Sequence, residues 1–303
     1  MTIKEVIKSL INTVPYISKL KNKINSYESQ LMVPPGHFYS PIANQAELIT
    51  ASEKIFNINR PLGGIDLNYE HQFQLLNQFK QYYSLLPFTE NPTADNRYYY
   101  NNDAYLYSDA IFLFSMISHF KPKKIIEIGS GFSSAVMLDT NERFFNNNID
   151  LTFIEPFPET LNRTVRPRDN YTLIEKKVQD IDVTIFQSLQ ENDILFIDST
   201  HVAKTNSDVL CEIFEILPYL NKGVKIHFHD IFYPFEYPKE WVIDQKRNWN
   251  EIYFLRSFLM YNDTFKILSF NTYLEHLNED WFKENMPLCL KNKGGSLWIE
   301  KIK

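Results

Sequence analysis

The stretch from Lys124 to Ala135, which reads KIIEIGSGFSSA, constrains the fold of this chain more than any other. It begins with a short β-branched run that carries one acid, as is typical of a buried parallel strand. Gly129 and Gly131 follow, and glycines allow a positive φ and the close approach of a ligand to bare backbone. The helical pattern after them directs free N–H groups and the positive end of the helix dipole at the same point. The stretch therefore predicts a strand–turn–helix site for an adenosine-bearing ligand.

Acidic residues around this turn indicate which ligand it binds. Ser134 stands where a dinucleotide-binding loop has its third glycine. Glu127, two residues before Gly129, would repel a pyrophosphate but suits the ammonium and sulfonium groups of S-adenosylmethionine (SAM). Glu155 ends the next predicted strand, where an acid that binds ribose hydroxyls is expected. The alternative without a ligand is a glycine-rich turn beside two solvated acids.

Strands and helices alternate after this stretch, which predicts an α/β fold: a Rossmann-like, mostly parallel sheet with helices on both faces. The seven predicted strands lie near residues 124–128, 151–155, 171–175, 193–198, 223–229, 265–270 and 296–301. The predicted helices lie near residues 132–145, 158–164, 181–190, 203–217 and 244–261. No long helical pattern separates the last two strands, so we expect an antiparallel last strand.

Residues 1–96 precede the alternating part and are predicted to form a helical N-terminal extension. Apolar residues recur at helical spacing within residues 3–11. We expect the extension to line the acceptor site or to contact another copy of the chain in a homo-oligomer, and residues 97–303 to bind SAM. Residues 97–105 combine aromatics, amides and an acid, which suit either a cover over a bound ligand or a packed seam.

The composition excludes several classes of protein. With 31 basic and 37 acidic residues the formal net charge is −6, which argues against a nucleic-acid partner because such proteins carry a basic face. Cys211 and Cys289 have no zinc-ligand spacing and form no disulfide framework, so we expect a reducing, cytoplasmic compartment. No apolar stretch is long enough for a membrane span, and charged residues interrupt the N-terminus where a signal peptide needs an apolar run.

The residues at the carboxyl ends of the fourth and fifth predicted strands are candidates for chemistry, because ligands of open α/β sheets bind at that edge. Asp198 and His201 follow the fourth strand, and His229 and Asp230 follow the fifth. All four are expected to converge beside the sulfonium position. His201 or His229 is the predicted general base, with an aspartate orienting the ring. A hydrogen-bonded structural role is the alternative for both histidines.

Two further roles concern acidic residues at the same edge. Asp198 and Asp230 are candidate ligands of Mg²⁺ or another divalent cation, which would lower the pKa of an acceptor hydroxyl and fix its position. Gln179 and Asp180, after the third strand, are placed to bracket the adenine, unless Asp180 caps a helix instead.

The motifs together resemble those of class I SAM-dependent methyltransferases, over residues 98–270. The resemblance rests on three stretches, Ile126–Ser134, Phe196–His201 and His227–Ile231. The paired serines after the glycine loop, the Asp-x-x-His at a strand end and the His-Asp are similar to a bacterial subgroup of O-methyltransferases that act on glycans and secondary metabolites.

The resemblance implies that Glu127, Gly129 and Gly131 hold the methionyl part of SAM and that Glu155 holds the ribose. Cation-dependent relatives place acidic or amide ligands near Asp198 and near the end of the fifth strand, where this chain has His229 and Asp230. The predicted cofactor-binding set is Glu127, Gly129, Ser130, Gly131, Ser133, Glu155 and Asp180.

The sequence thus predicts transfer of a methyl group from SAM to a hydroxyl of a small molecule, a sugar or another glycan or secondary-metabolite acceptor. An NAD-dependent oxidoreductase or epimerase on a similar sheet is one alternative, against which Ser134 and Glu127 count. A SAM-binding domain that has lost its chemistry is the other.

Overall fold

A computed structural model of the chain describes residues 14–303, so the apolar repeat within residues 3–11 lies outside the described residues. The described chain forms two compact units, one from residues 14–56 and 239–248, the other from residues 57–238 and 249–303. The second unit holds the whole sheet, and residues 57–96 belong to it. Within residues 14–303, no helix combines the length and apolar character that crossing a membrane requires.

The bounds of the regular elements follow the predicted alternation. The helices in chain order are α1 Pro15–Glu28, α2 Gln45–Thr50, α3 Ser52–Ile55, α4 Tyr69–Tyr83, α5 Tyr107–Phe120, α6 Phe132–Phe145, α7 Glu159–Thr164, α8 Asp208–Cys211, α9 Lys239–Ile243, α10 Glu251–Leu259, α11 Asn271–Leu277 and α12 Glu279–Asn285. The strands are β1 Lys124–Ile128, β2 Asp150–Ile154, β3 Thr172–Ile174, β4 Ile194–Ile197, β5 Lys225–Phe228, β6 Phe265–Phe270 and β7 Leu297–Lys301.

The strands form one sheet in the order β3-β2-β1-β4-β5-β7-β6. Strands β1 to β5 pair in parallel, and β7 pairs antiparallel with both β5 and β6. The order 3-2-1-4-5 is that of the Rossmann sheet, whose ligand crevice lies where the chain order reverses, here between β1 and β4. The predicted seven-stranded Rossmann-like sheet with an antiparallel last strand is therefore confirmed.

Three helices differ from their predicted extents. Residues 183–188 form a short 3₁₀ helix, and after α8 the chain continues as a π-helical turn over residues 212–216 and a 3₁₀ turn that contains Pro218. The helix predicted from residue 244 begins only at Glu251. Tertiary bonds explain that start, because the side chain of Asn250 accepts from the N–H of Ala203 at 2.6 Å and donates to its carbonyl at 3.2 Å.

Helix α5 forms much of the core beside the sheet. Residues 108–118 are all buried, as expected of a helix that is apolar on nearly every side. It packs against α4, α6 and the segment of residues 287–291. The polar ends of β1 and β4 project beyond this packed layer, and that edge holds the candidate site.

Candidate active site

Gly129 connects β1 to the neighbouring strands at the crevice. Its N–H donates to the carbonyl of Ile154 at 3.0 Å, and the N–H of Asp198 donates to the carbonyl of Ile128 at 2.8 Å. Gly129 has a φ of +82°, and a Cβ there would lie 1.8 Å from the carbonyl oxygen of Asp198. Only glycine therefore fits this position.

Gly131 does not use the positive φ that a glycine allows. Its backbone is extended, with a φ of −177°, and an added Cβ would meet nothing closer than Thr160 Cγ2, at 3.6 Å. Its N–H donates to Ser134 Oγ at 3.0 Å. The absence of a side chain at Gly131 leaves the start of α6 open to a ligand.

Glu127 is fully buried, and its carboxyl is hydrogen-bonded to residues that follow the glycine loop. Its carboxyl accepts hydrogen bonds from Ser133 Oγ, at 2.5 Å, and from Ser134 Oγ. Burial raises the pKa of Glu127 to about 8, because it outweighs the two hydrogen bonds that favour the charged form. The protein without ligand thus holds a neutral carboxyl behind the glycine turn, where the sequence led us to expect an anion facing the ligand.

This neutral carboxyl predicts a pH dependence of stability. The folded pKa of Glu127 lies above its unfolded value, so its contribution to stability is complete below about pH 4.5 and is lost as pH rises to about 8. Glu127→Gln cannot ionise, so its free energy of unfolding should rise relative to that of wild type by about 4 kcal/mol between pH 5 and 8.5. Denaturant unfolding from pH 5 to 8.5 measures the difference, with the exposed Glu159→Gln as the control. Parallel curves for wild type and Glu127→Gln would contradict the assignment.

A cavity of about 370 Å³ opens beyond the ends of β1, β2 and β4. Glu155 lies at its edge, where its carboxylate accepts from the N–H of Ser130 at 3.1 Å and from the N–H of Phe157 at 2.8 Å. The ring of Phe157 is 70% exposed beside the cavity. The residues that line the cavity are Ile128, Gly129, Ile154, Glu155, Pro156, Phe157, Lys177, Val178, Gln179, Asp198, Ser199, Thr200, Lys204, Asn206, Ser207 and Asp208.

Five of the predicted cofactor residues lie outside this lining set, and Gly131, described above, is one of them. Glu127 and Ser133 hydrogen-bond to each other beneath the loop. Ser130 contributes its N–H to Glu155. Asp180 is exposed at the end of a 3₁₀ turn, and Gln179 lines the cavity in its place, while Asp182 caps the next turn by accepting from the N–H of Thr184.

His201 lies among three carboxylates at the ends of β4 and β5. Its Nδ1 is 2.8 Å from Glu251 Oε2. Its Nε2 is 3.4 Å from Asp198 Oδ1 and 3.5 Å from Asp230 Oδ2. A ring nitrogen bonded to a carboxylate fixes the tautomer and leaves the other nitrogen for proton transfer, as in His–carboxylate dyads. In the structure His201 Nδ1 is thus bonded to Glu251, and its Nε2 faces Asp198 and Asp230.

The backbone of His201 is fixed by the start of α10. His201 has a φ of +60°, which is uncommon for a residue with a side chain. Its carbonyl accepts from the N–H of Asn250 at 3.0 Å and from the N–H of Glu251 at 3.2 Å. Thr200, just before it, donates from its N–H and its hydroxyl to the carboxylate of Asp208. The ring and the main chain of His201 are thus both held by residues of the same helix turn.

Charge pairing sets the protonation of the cluster. Burial alone would lower the pKa of His201, but hydrogen bonds to Asp198 and Glu251 outweigh burial and raise it well above the ordinary value. Burial would raise the pKa of Asp198, but the charges of His229 and His201 hold it below its usual range. Burial, helped by repulsion from Asp198, raises the pKa of Asp230. The ligand-free cluster thus favours a protonated His201 beside an ionised Asp198.

His229 and His227 lie at the end of β5, where His229 is as buried as His201 and His227 is fully buried. His229 Nε2 is 3.6 Å from Asp230 Oδ1, its ring centre is 5.2 Å from that of Tyr105, and its Nδ1 has no partner among the described residues. The ring of His227 stacks on Phe196 at 3.9 Å, and burial lowers its pKa well below the ordinary value. The structure brings Asp198, His201, His229 and Asp230 together as predicted, and His201 is the histidine with an orienting carboxylate.

The predicted metal ligands, Asp198 and Asp230, both lie against His201. Asp198 and Asp230 direct carboxylate oxygens at the same nitrogen of His201. Among residues 14–303, no group of three or more His, Cys, Asp and Glu side chains is arranged to hold a metal ion. The metal role of Asp198 and Asp230 therefore stays a prediction.

Residues 97–105 divide between the two roles that the sequence left open. Arg97 is buried, and its guanidinium binds the carboxylates of Asp139, Glu142 and Asp169, which makes this part a packed seam. Residues 101–104 instead border a second cavity, of about 850 Å³. That cavity is also lined by Tyr99, Phe132, Arg163 and Arg166, among others.

Sequence reasoning missed two residues of the site. Glu251 lies fifty residues from His201, and no local pattern links the two. Phe157 follows Glu155 by two residues, and an aromatic just after the acid expected to bind ribose was the available signal.

Comparison with known proteins finds a family match for part of the chain. Residues 126–231, which run from β1 past β5 and include Gly129, His201 and Asp230, match the model of a family described as a methyltransferase domain. An uncharacterised protein of Archaeoglobus fulgidus is 42% identical over 166 residues, which are 53% of this chain and 75% of that protein.

Two solved structures show a distant likeness. The methyltransferase PaMTH1 of Podospora anserina, bound to S-adenosylhomocysteine (SAH), covers 90% of this chain and 99% of its own at 16% identity, with a TM-score of 0.44. The O-methyltransferase TomG of Streptomyces achromogenes, in complex with SAM, covers 85% and 96% at 11% identity, with a TM-score of 0.40. Scores this low carry no argument, and the assignment rests on the domain match and on the strand order. Residues 126–231 thus match a methyltransferase domain family, on a sheet with the strand order expected of the class I SAM-dependent methyltransferases that the sequence resembles.

Proposed function

We propose that the protein transfers the methyl group of SAM to a hydroxyl of a small molecule, with His201 as the general base. The observation that supports this is the position of His201. It is oriented by Glu251 and faces Asp198, which also lines the cavity beside Gly129. A hydroxyl acceptor must lose a proton as it attacks, and a fixed imidazole at this edge can receive it.

The cavity residues suggest how SAM is held. Glu155 would accept from the two ribose hydroxyls, Phe157 would stack on the adenine, and Gln179 would bond to its edge. The open backbone at Gly131 would take the methionyl part, next to the start of α6. Bound SAM supplies a methyl group on a cationic sulfur, and the protein supplies the alignment and the path for the proton.

Donor binding would also adjust His201. A positive charge placed beside Asp198 would offset the negative charge of its carboxylate, which otherwise favours the protonated form of His201. The pKa of His201 would then fall toward the range in which imidazole is an effective base. His201 would accept the hydroxyl proton at Nε2 while its Nδ1–H stays bonded to Glu251.

The acceptor we propose is a sugar or another hydroxylated metabolite. The resemblance to glycan and secondary-metabolite O-methyltransferases supports this class, as do the amides and aromatics of residues 99–102 beside the second cavity. We further propose that residues 97–303 carry the donor site and that the first 96 residues act on the acceptor or on a partner.

Titration calorimetry with SAM, SAH and NAD tests the donor. We expect binding of SAM and SAH and none of NAD. Glu155→Gln should weaken SAM binding about tenfold, because a charged acceptor of the ribose hydroxyls is lost. Glu159→Gln, a similar change at an exposed site in α7, should leave the affinity unchanged. Binding of NAD without SAM would reverse the assignment in favour of an oxidoreductase or epimerase.

A further inference from the structure

Helix α1 exposes an apolar stripe that the described chain leaves uncovered. None of its residues is buried. Tyr16, Leu20, Ile24 and Tyr27 are 70%, 40%, 54% and 61% exposed. At 3.6 residues per turn these side chains fall within an arc of about 100°, on one side of the helix. We propose that this stripe docks on an anionic membrane surface, with the helix lying in the plane of the interface.

The charges of α1 support a lipid surface as the occupant. The helix contains three lysines, Lys19, Lys21 and Lys23, and one acid, Glu28, whereas the whole chain has a net charge of −6. By helical geometry Lys23 borders one edge of the stripe and Lys21 borders the other side. Lysines beside an apolar stripe extend their ammonium groups toward lipid phosphates while the stripe enters the acyl boundary. Local positive charge in an acidic chain matches an anionic headgroup layer.

The aromatic residues of the stripe support the same partner. Tyr16 and Tyr27 stand near the two ends of α1, and tyrosine is enriched at the headgroup level of membranes. Leu20 and Ile24 lie between them and supply the purely apolar contact. In the sequence before α1, Lys4 and further apolar residues repeat the same combination.

A second copy of the chain is the weaker candidate. The apolar stripe spans about two heptads, fewer than the three or four that indicate a coiled coil. In a parallel pair the lysines at the stripe edges would face their own copies, and like charges at those positions repel.

Vesicle co-sedimentation with the full chain tests the proposal. We expect binding to phosphatidylcholine vesicles that contain about one quarter phosphatidylglycerol, weaker binding to pure phosphatidylcholine, and loss of affinity as salt rises. The double variant Leu20→Asp with Ile24→Asp should lose at least about tenfold in partition coefficient. Asn22→Asp with Asn25→Asp adds the same charge to the opposite face and should lose only about fivefold or less. Exposure of all four positions keeps the fold intact, which thermal unfolding verifies.

Three results would overturn the proposal. The first is equal partitioning of the stripe variant and its polar-face control, and the second is no vesicle binding by the wild type. The third is a dimer of the wild type in light scattering that the stripe variant converts to monomer, which would assign the stripe to a second copy. Neither readout depends on methyl transfer, so the donor assignment is tested separately.

Discussion

Replacing His201 by asparagine is expected to lower kcat about 10²–10⁴-fold, the contribution of a general base, while the Kd of SAM changes by less than about threefold. Asparagine is the suitable replacement because it tolerates the left-handed backbone that His201 adopts. The assay follows release of SAH with sugars and other hydroxylated acceptors. His276→Asn changes the same residue type at an exposed site in α11 and should keep full turnover.

A pH profile separates proton transfer from a merely structural role. Glu251 is an anionic partner that raises the pKa of His201, so Glu251→Gln should lower that pKa. The acid limb of kcat/KM, on which the rate rises with pH as His201 loses its proton, should therefore move to lower pH in the variant. Full turnover by His201→Asn, or an acid limb that does not move in Glu251→Gln, would show that another group accepts the proton.

Gly129→Ala is expected to destabilise the fold by about 3–5 kcal/mol, which combines the left-handed backbone cost with the clash of two strands. The new Cβ would lie 1.8 Å from Asp198 O and 2.7 Å from its carbonyl carbon, and both belong to main chain that cannot rotate away. The ends of β1 and β4 would have to separate, so SAM binding should be lost as well.

Gly63→Ala is the matched control, because an added Cβ there meets nothing within 4 Å. Its effect should stay within about 0.5 kcal/mol. Gly131→Ala should give a third result, a stable protein with weakened SAM binding, because the extended backbone at this position accepts alanine. Denaturant unfolding and calorimetry measure all three, and equal stability of the Gly129 and Gly63 variants would refute the close contact.

Most of the fold could be predicted from local sequence patterns. The β-branched run of β1 and the glycines after it specify a strand and a turn from neighbouring residues alone, and β1 and α6 occupy their predicted bounds. The first helix after β4 was harder to predict. Its π-helical turn and Pro218 depend on how the segment packs, which periodicity does not report.

The candidate site was likewise predictable only where it depends on local sequence. Strand ends placed Asp198 and Asp230 correctly at one edge, because parallel strands share their carboxyl ends. The orientation of Glu127 was not predictable from position, since it depends on two serines that turn inward after the loop. Glu251 approaches His201 only through tertiary folding, and a single sequence gives no signal for such a contact.

The attachment of His201 to the first turn of α10 gives the two halves of the reaction separate supports. The cavity proposed for the donor is lined from the ends of β1, β2 and β4, whereas the imidazole of His201 is bonded to the first turn of α10. Substitutions in the loops after β1 and β2 would then change the proposed donor affinity without displacing the imidazole. Divergence toward new acceptors would have to preserve Asn250 and Glu251 to keep the proposed proton acceptor in place.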